Sequence, residues 1–300
     1  MLQVARLSSR QLGDARDLVR QFLLDQRQPD GGFQDRAGRS DLYYTVFGLE
    51  GLVALQAALP RDEATIAYLH AFGDGERLDF VHLACVARAW ATLGGELHAG
   101  GGLDERTRRA IAARIETFRA ADGGYAQAVG AARGTVYAAF LALGAYQDLR
   151  LALPEPDRLL TSIALLRARD GGFANHPDAL VGLTTSTAAA VAIHRQLERP
   201  IGGDGGAAGD LGAWLLARVH PQGGFVASPT TPMPDLLSTA TALHALASLH
   251  VPIAALQEAC LDFIDTLWTN RGGFYGHWAD DHVDCEYTYY GLLALGHLSL

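Results

Sequence analysis

Residues 272–295 read GGFYGHWADDHVDCEYTYYGLLAL and contain every feature that decides the fold. A Gly-Gly-aromatic triplet is followed by a polar loop, an aspartate and an apolar stretch. The triplet recurs with its aromatic residue at positions 33, 125, 173, 225 and 274, and a degraded copy lies near residue 77. Copies about 50 residues apart nearly fill the 300 residues of the chain. Such a period is typical of a repeat architecture rather than of two unrelated domains.

Each repeat predicts a pair of helices. In residues 104–120, Ile111, Ile115 and Phe118 fall on one helix face, which indicates an amphipathic outer helix. The glycine pair is expected to end that helix as a left-handed C-cap. The second helix is apolar on all sides, which predicts a buried inner helix. The six inner helices are predicted at 41–56, 79–93, 134–147, 183–197, 235–249 and 284–298.

Six helical hairpins could stack as an open solenoid or close into a ring. The terminal repeats resemble the internal ones, whereas an open solenoid needs polar capping repeats, so closure is favoured. We therefore predict an all-α (α/α)6 toroid with inner and outer helix rings, formed by a single domain over residues 1–300. The predicted repeats span approximately 11–57, 61–95, 104–148, 155–198, 207–250 and 253–300.

The amino-acid composition argues against several classes of partner and of catalytic chemistry. The net charge of -9 argues against nucleic-acid binding, which needs a basic surface. The sequence contains no lysine, so all 24 basic residues are arginine, which excludes a Schiff-base or P-loop lysine. The first residues lack the apolar core of a secretory signal, and no apolar run is long enough to span a membrane. We expect a cytoplasmic protein without a transmembrane segment.

The first turns of the inner helices form the candidate site. We align them on Asp41, Asp79, Gly134, Leu183, Asp235 and Asp284, and expect the aspartates to be N-caps. In a closed ring these turns surround one mouth of a central cavity. They are aromatic and polar where the rest of each inner helix is apolar, which is typical of a binding pocket.

Residues 277–286 hold two histidines, three aspartates, one cysteine and one glutamate, which are groups able to bind a metal or transfer a proton. A solvated acidic loop followed by an N-cap is the alternative interpretation. Ring closure would bring this acidic segment beside repeat one. Arginines in repeats one to three could then hold an anionic head group, or simply be surface charge. These arginines are Arg36, Arg39, Arg77 and Arg133.

The repeat resembles the β subunits of protein prenyltransferases and the related squalene and class II terpene cyclases. The shared pattern is Gly-Gly-Phe, a loop, Asp-x-x-Tyr/His-Thr and Gly-Leu-x-x-Leu, closest at 272–295 and 40–52. The resemblance covers essentially the whole chain. It implies a toroid whose apolar central cavity holds an isoprenoid-type small molecule.

The prenyltransferase resemblance implies zinc ligands in an Asp-x-Cys pattern and a histidine on the next inner helix. Asp284 matches the aspartate, but Glu286 replaces the cysteine and Tyr44 replaces the histidine. Cys285 comes one residue early, and His82 has the histidine position one repeat further on. The arginine and lysine that hold diphosphate in that family correspond here to Trp278 and Asp281. Prenyl transfer would also need an α-subunit-like partner, which the sequence does not indicate.

The cyclase resemblance implies an acid in an Asp-x-Asp-Asp-Thr motif, which here reads Asp284-Cys285-Glu286-Tyr287-Thr288. Burial raises the pKa of such a carboxyl group and keeps it protonated. Aromatic rings could stabilise a carbocation, or they could be ordinary core. Residues 280–284 also match the Asp-Asp-x-x-Asp magnesium motif of isoprenyl diphosphate synthases, which have a different helical fold.

The sequence thus predicts an isoprenoid-handling enzyme, either cyclase-like or prenyltransferase-like, whose cofactor is open between Mg²⁺, Zn²⁺ and none. A non-catalytic toroid that binds an apolar ligand or a protein partner is the alternative. The catalytic candidates are Asp284, Glu286, Tyr44 and His82. The substrate-binding candidates are Tyr43, Tyr137, Tyr287, Trp278, Arg39 and Arg133. The candidate metal ligands are Asp280, Asp281, Asp284 and Cys285.

Overall fold

A computed structural model describes residues 1–94, 102–201 and 207–300. These residues form fourteen α-helices, three short 3-10 turns and one two-stranded antiparallel sheet of β1 (Phe33–Gln34) and β2 (Ser40–Asp41). The helices are α1 (Leu2–Ala5), α2 (Ser9–Leu12), α3 (Arg16–Asp25), α4 (Leu42–Ala54), α5 (Glu63–His70), α6 (Phe80–Leu93), α7 (Glu105–Glu116), α8 (Val136–Asp148), α9 (Pro156–Ala164), α10 (Thr184–Gln196), α11 (Ala207–Leu216), α12 (Leu236–Ser248), α13 (Gln257–Thr266) and α14 (Cys285–His297).

The even-numbered helices from α4 to α14 form a closed inner ring. Each packs against the next, and α14 packs against α4. The odd-numbered helices from α3 to α13 lie outside them, so each predicted repeat supplies one outer and one inner helix. The predicted toroid is therefore confirmed. The repeat bounds themselves stay a prediction, and residue 95 lies outside the described residues.

The glycine pairs do not act as the predicted C-caps. Helix α13 ends at Thr266 with Leu267 in the right-handed region, several residues before Gly272. The chain then folds back on itself, so that Trp268 and Phe274 pair as an antiparallel bridge around the glycines. The first glycine of each triplet has a φ between 86° and 97°. The prediction was wrong because the glycines form the turn between the outer helix and the loop.

The aromatic residue of each triplet anchors the loop to the core. Phe225 is fully buried, and its backbone N–H donates to Thr239 Oγ1 at 2.9 Å. Thr239 Oγ1 in turn donates to the carbonyl of Asp235, the N-cap of α12. The Asp-x-x-x-Thr pattern is therefore structural, since its threonine joins the triplet to the inner helix.

The inner helices begin at one rim of the ring, as the N-cap pattern predicts. Asp41, Asp79, Asp235 and Asp284 each accept hydrogen bonds from first-turn backbone N–H groups. The next repeat satisfies further N–H groups. For example, the backbone N–H of Leu236 donates to the carbonyl of Gly276 at 2.8 Å. The backbone N–H of Thr184 likewise donates to the carbonyl of Ala227 in the next repeat at 2.9 Å.

Candidate functional site

A cavity of about 170 Å³ lies inside the ring, between α4, α6, α8 and α14. Aromatic side chains form much of its wall, and Tyr137 is 37% exposed at the mouth. Phe47 packs against Tyr43 and Tyr290 with ring centroids 4.9 and 5.5 Å apart. The aromatic lining residues are Tyr43, Phe47, Tyr137, Phe140, Tyr289 and Tyr290.

The structure corrects the register of repeat three. Thr135, not the aligned Gly134, caps α8 and accepts the N–H of Ala138. Tyr137 therefore matches Tyr43 and Glu286 in helix position, two residues after the N-cap. In the loop before α8, Gly134 donates its N–H to Asp122.

Glu286 and Tyr43 form a hydrogen-bonded pair beside the cavity. The Tyr43 hydroxyl donates to Glu286 Oε1 at 2.6 Å, across the junction of repeats six and one. Burial raises the pKa of Glu286 to about 7, against the opposing effect of the Tyr43 hydrogen bond. Tyr43 lines the cavity, and Glu286 lies directly behind it. Near neutral pH this carboxyl group can therefore both hold and release a proton.

Asp284 has a structural partner on each oxygen. Its Oδ1 accepts the backbone N–H of Tyr287, and its Oδ2 lies 2.8 Å from Arg36 Nε. Burial raises the pKa of Asp284, and these two partners oppose that effect. Arg36 also bonds Asp280, with Nη2 3.0 Å from Oδ2, and lies 5.5 Å from the centre of the Tyr287 ring. Arg36 thus closes the ring instead of binding a ligand.

Of the four predicted metal ligands, Asp280 and Asp281 come together, whereas Asp284 and Cys285 do not join them. Both oxygens of Asp284 are engaged, and the thiol of Cys285 is fully buried, with a pKa raised well above its usual value by that burial. Among the described residues, one group of metal-binding side chains is close enough to share an ion, namely Asp280, Asp281 and His282. That group is largely exposed, and Arg36 already occupies Asp280. The four predicted ligands therefore do not converge on a single ion.

His82 and Tyr44 stand at the rim rather than in the cavity wall. His82 Nε2 lies 3.5 Å from Asp41 Oδ2, and its Nδ1 lies 2.9 Å from Asp79 Oδ1. The bond to Asp41 and that to Asp79 raise the pKa of His82 to about 9, although burial opposes them. His82 is therefore charged at neutral pH and joins the N-caps of α4 and α6.

Substituting His82 with glutamine should remove a pH-dependent contribution to stability. Below pH 6.5, the ordinary pKa of the imidazole, the cation is present in both folded and unfolded chains, so its contribution is complete. As the pH rises to about 9 that contribution is lost. We expect the difference in free energy of unfolding between wild type and H82Q to shrink over this interval in urea titrations. A difference that stays constant with pH would contradict this role.

Four substrate-binding candidates lie away from the cavity lining. Trp278 packs on Phe263 outside the inner ring and donates to Thr266 Oγ1. Arg39 is bound to Asp35 in solvent, and Arg133 is exposed. The ring of Tyr287 stacks under Arg36 and packs against Gly276.

The sequence reasoning missed the far end of the cavity, which is polar. Glu50, Arg88, Asp148 and Gln196 line it, on four neighbouring inner helices. Arg88 Nη1 lies 2.9 Å from Glu50 Oε1, and its Nε lies 2.6 Å from Asp148 Oδ2. Charged residues inside two otherwise apolar helices, Glu50 and Arg88, were the signal that could have revealed this cluster.

The closed double ring of helices with its pocket at one rim defines an α/α toroid. The model of the prenyltransferase alpha-alpha toroid domain matches residues 3–86, 85–200 and 204–299, and the chain belongs to this family. No curated protein matches the chain. Among the described residues no helix is long and apolar enough to cross a membrane.

Several solved structures share this fold at low sequence identity. The type II terpene cyclase MstE from Scytonema, in complex with geranylgeranyl dihydroxybenzoate, is 15% identical, with 97% of each chain covered and a TM-score of 0.68. Candida albicans protein geranylgeranyltransferase-I complexed with GGPP is 14% identical, with 94% of this chain and 90% of that chain covered and a TM-score of 0.67. The ent-copalyl diphosphate synthase from Streptomyces platensis is 17% identical over 86% of this chain and 50% of that chain, with a TM-score of 0.52.

Proposed function

We propose that this protein is an isoprenoid cyclase that starts its reaction by protonating a carbon–carbon double bond. The observation that carries the proposal is the Tyr43–Glu286 pair, with its 2.6 Å hydrogen bond and a carboxyl pKa of about 7. Glu286 holds the proton. For transfer, the Tyr43 hydroxyl turns from Glu286 toward the cavity that it lines and accepts the proton of Glu286 as it gives its own to the substrate. Burial raises the pKa of Tyr43, so the two protons move in one step and no free tyrosinate forms.

The chemistry is an isomerisation, so atoms balance without a co-reactant. Protonation of one double bond leaves a carbocation, a second double bond attacks it and forms a ring, and loss of a proton restores a double bond. Rings of Phe47, Tyr137 and Tyr290 surround the cavity, and aromatic faces attract cations. Solvent at the mouth returns a proton to Glu286.

Two observations favour cyclisation over metal-assisted prenyl transfer. Both carboxylate oxygens of Asp284 already accept hydrogen bonds, one from Arg36 and one from a backbone N–H. Asp284 is the one residue that matches a zinc ligand of the protein prenyltransferases. The cation nearest the acidic loop, Arg36, is itself bound to two carboxylates, so it is not free to hold a diphosphate. Toroid neighbours bound to geranylgeranyl compounds support the isoprenoid class of substrate.

The experiment is turnover in D₂O with EDTA present, using geraniol, geranyl diphosphate, farnesyl diphosphate and squalene as probes. We expect a cyclic isomer of one probe that carries one deuterium on carbon, seen as a gain of about one mass unit. Chelation should not lower the rate, because no step uses a metal. Inactivation by EDTA with rescue by Zn²⁺ or Mg²⁺ would favour prenyl transfer. Binding without any turnover would favour a non-catalytic toroid.

A further inference from the structure

The polar cluster at the far end of the cavity has no part in the proposed proton transfer. Glu50 on α4, Arg88 on α6 and Asp148 on α8 converge there, and Glu50 is only 4% exposed. Burial raises the pKa of Asp148 to about 6, although Arg88 lowers it. Of the three side chains only Glu50 is buried. The side chain of Asp148 is 15% exposed and that of Arg88 is 37% exposed, so the cluster is open to the cavity that it lines.

The cluster lies at a definite depth. Glu50 follows Tyr43 by seven residues on α4, so it falls on the same helix face two turns further on. At 1.5 Å per residue the two levels are about 10 Å apart. Aromatic and aliphatic side chains fill the wall between them, including Val46, Phe47 and Phe140. The cavity is therefore apolar along its length and polar at both ends.

Two atoms of this cluster, Arg88 Nη2 and Asp148 Oδ1, are suited to bind a hydroxyl group. Arg88 uses Nε and Nη1 for Asp148 and Glu50, and within the described residues its Nη2 makes no hydrogen bond. Asp148 uses Oδ2 for Arg88, and its Oδ1 likewise makes none among those residues. One site thus offers an N–H donor beside a carboxylate acceptor. An alcohol needs both, since its O–H donates and its oxygen accepts.

The charges at this end disfavour an anionic group. Two carboxylates, Glu50 and Asp148, surround the single guanidinium of Arg88. The cluster therefore carries no net positive charge at neutral pH and would repel a diphosphate or a carboxylate.

The size of the cavity limits the chain. A volume of about 170 Å³ is below the roughly 300–1,000 Å³ of ordinary ligand pockets. An extended chain advances about 1.2 Å per bond, so the roughly 10 Å between the two polar ends fits about eight bonds, or two isoprene units.

We propose that Arg88 and Asp148 bind the hydroxyl end of a short isoprenoid alcohol of about ten carbon atoms, whose other end reaches the Tyr43–Glu286 pair. This inference rests on the proposed function, because it assigns the substrate of that same cavity. It adds a binding subsite for a neutral oxygen and a limit on chain length.

The test is a calorimetric titration of the protein with geraniol, farnesol and geranyl diphosphate. We expect geraniol to bind at least tenfold more tightly than the longer alcohol or the diphosphate. The decisive variant is Gly144→Ala, because a Cβ there would lie 3.2 Å from Arg88 Nη2 and occupy the proposed hydroxyl position. Alanine is a better helix former than glycine, so α8 should stay folded. We expect at least a tenfold loss of geraniol affinity.

The matched control is Gly130→Ala, at an exposed loop glycine with no atom of the described residues within 4 Å of the added Cβ. It should bind geraniol as wild type does. Unchanged affinity in Gly144→Ala, or equal affinity for geranyl diphosphate, would overturn the subsite. Geraniol binding that Gly144→Ala weakens, without deuterium incorporation by wild type, would instead reject the cyclase function and retain the subsite.

Discussion

Replacement of Glu286 by glutamine is expected to lower the turnover of an accepted isoprenoid by about 10²–10⁴-fold. Glutamine keeps the shape of the side chain and can still accept the Tyr43 hydrogen bond, but it has no acidic proton. Because burial raises the pKa of Glu286 to about 7, the wild-type rate should be highest below pH 7 and fall as the carboxyl group ionises. Steady-state rates over pH 5–9 measure both effects.

Two further variants make this prediction specific. Tyr43→Phe removes the hydroxyl that joins Glu286 to the cavity, so its rate should also fall by at least tenfold and respond to pH differently. Glu258→Gln makes the same chemical change at an exposed position on the outer helix α13, and should leave rate and pH profile unchanged. A Glu286→Gln protein with the wild-type rate would disprove the role of this carboxyl group as proton donor.

A large loss of stability is expected for Gly272→Ala. Gly272 has a φ of 97°, and an added Cβ would collide with the backbone carbonyl of Leu18 on α3. This contact joins repeat six to repeat one, so relief of the collision must move two helical hairpins apart. The left-handed backbone costs about 1–2 kcal/mol for alanine. Overpacking adds about 1–3 kcal/mol.

Gly130→Ala separates the cost of the left-handed backbone from the cost of overpacking. Gly130 has a φ of 75° and no atom of the described residues close to the added Cβ, so alanine there should cost only the backbone part. Urea denaturation of both variants measures the difference in free energy of unfolding. Equal destabilisation by the two substitutions would show that α3 and the Gly272 turn can move apart without a loss of stability. That result would contradict the close packing of Gly272 on α3.

Much of the site was visible in the sequence because it lies where the repeats begin. N-cap aspartates mark the first turn of four of the six inner helices, so Glu286, Tyr43 and His82 could all be assigned to one rim. Assignment by position failed where local loop geometry changed, as at Thr135, which shifts Tyr137 by one residue. It also failed for Trp278, because a loop residue can turn outward as easily as inward.

The sequence alone determined the architecture. A repeat of glycine turn, polar loop, N-cap and apolar helix predicts helical hairpins with buried inner helices, and terminal repeats without polar caps favour a closed double ring over an open solenoid. The tertiary structure decided which candidate groups remain free for chemistry. Arg36 and Asp284 lie 248 residues apart and neutralise each other only when the ring closes. Glu50, Arg88 and Asp148 meet because α4, α6 and α8 pack side by side in the inner ring. Pairings between distant residues depend on how α4, α6, α8 and α14 face one another. The sequence pattern within one repeat does not determine how these helices are oriented.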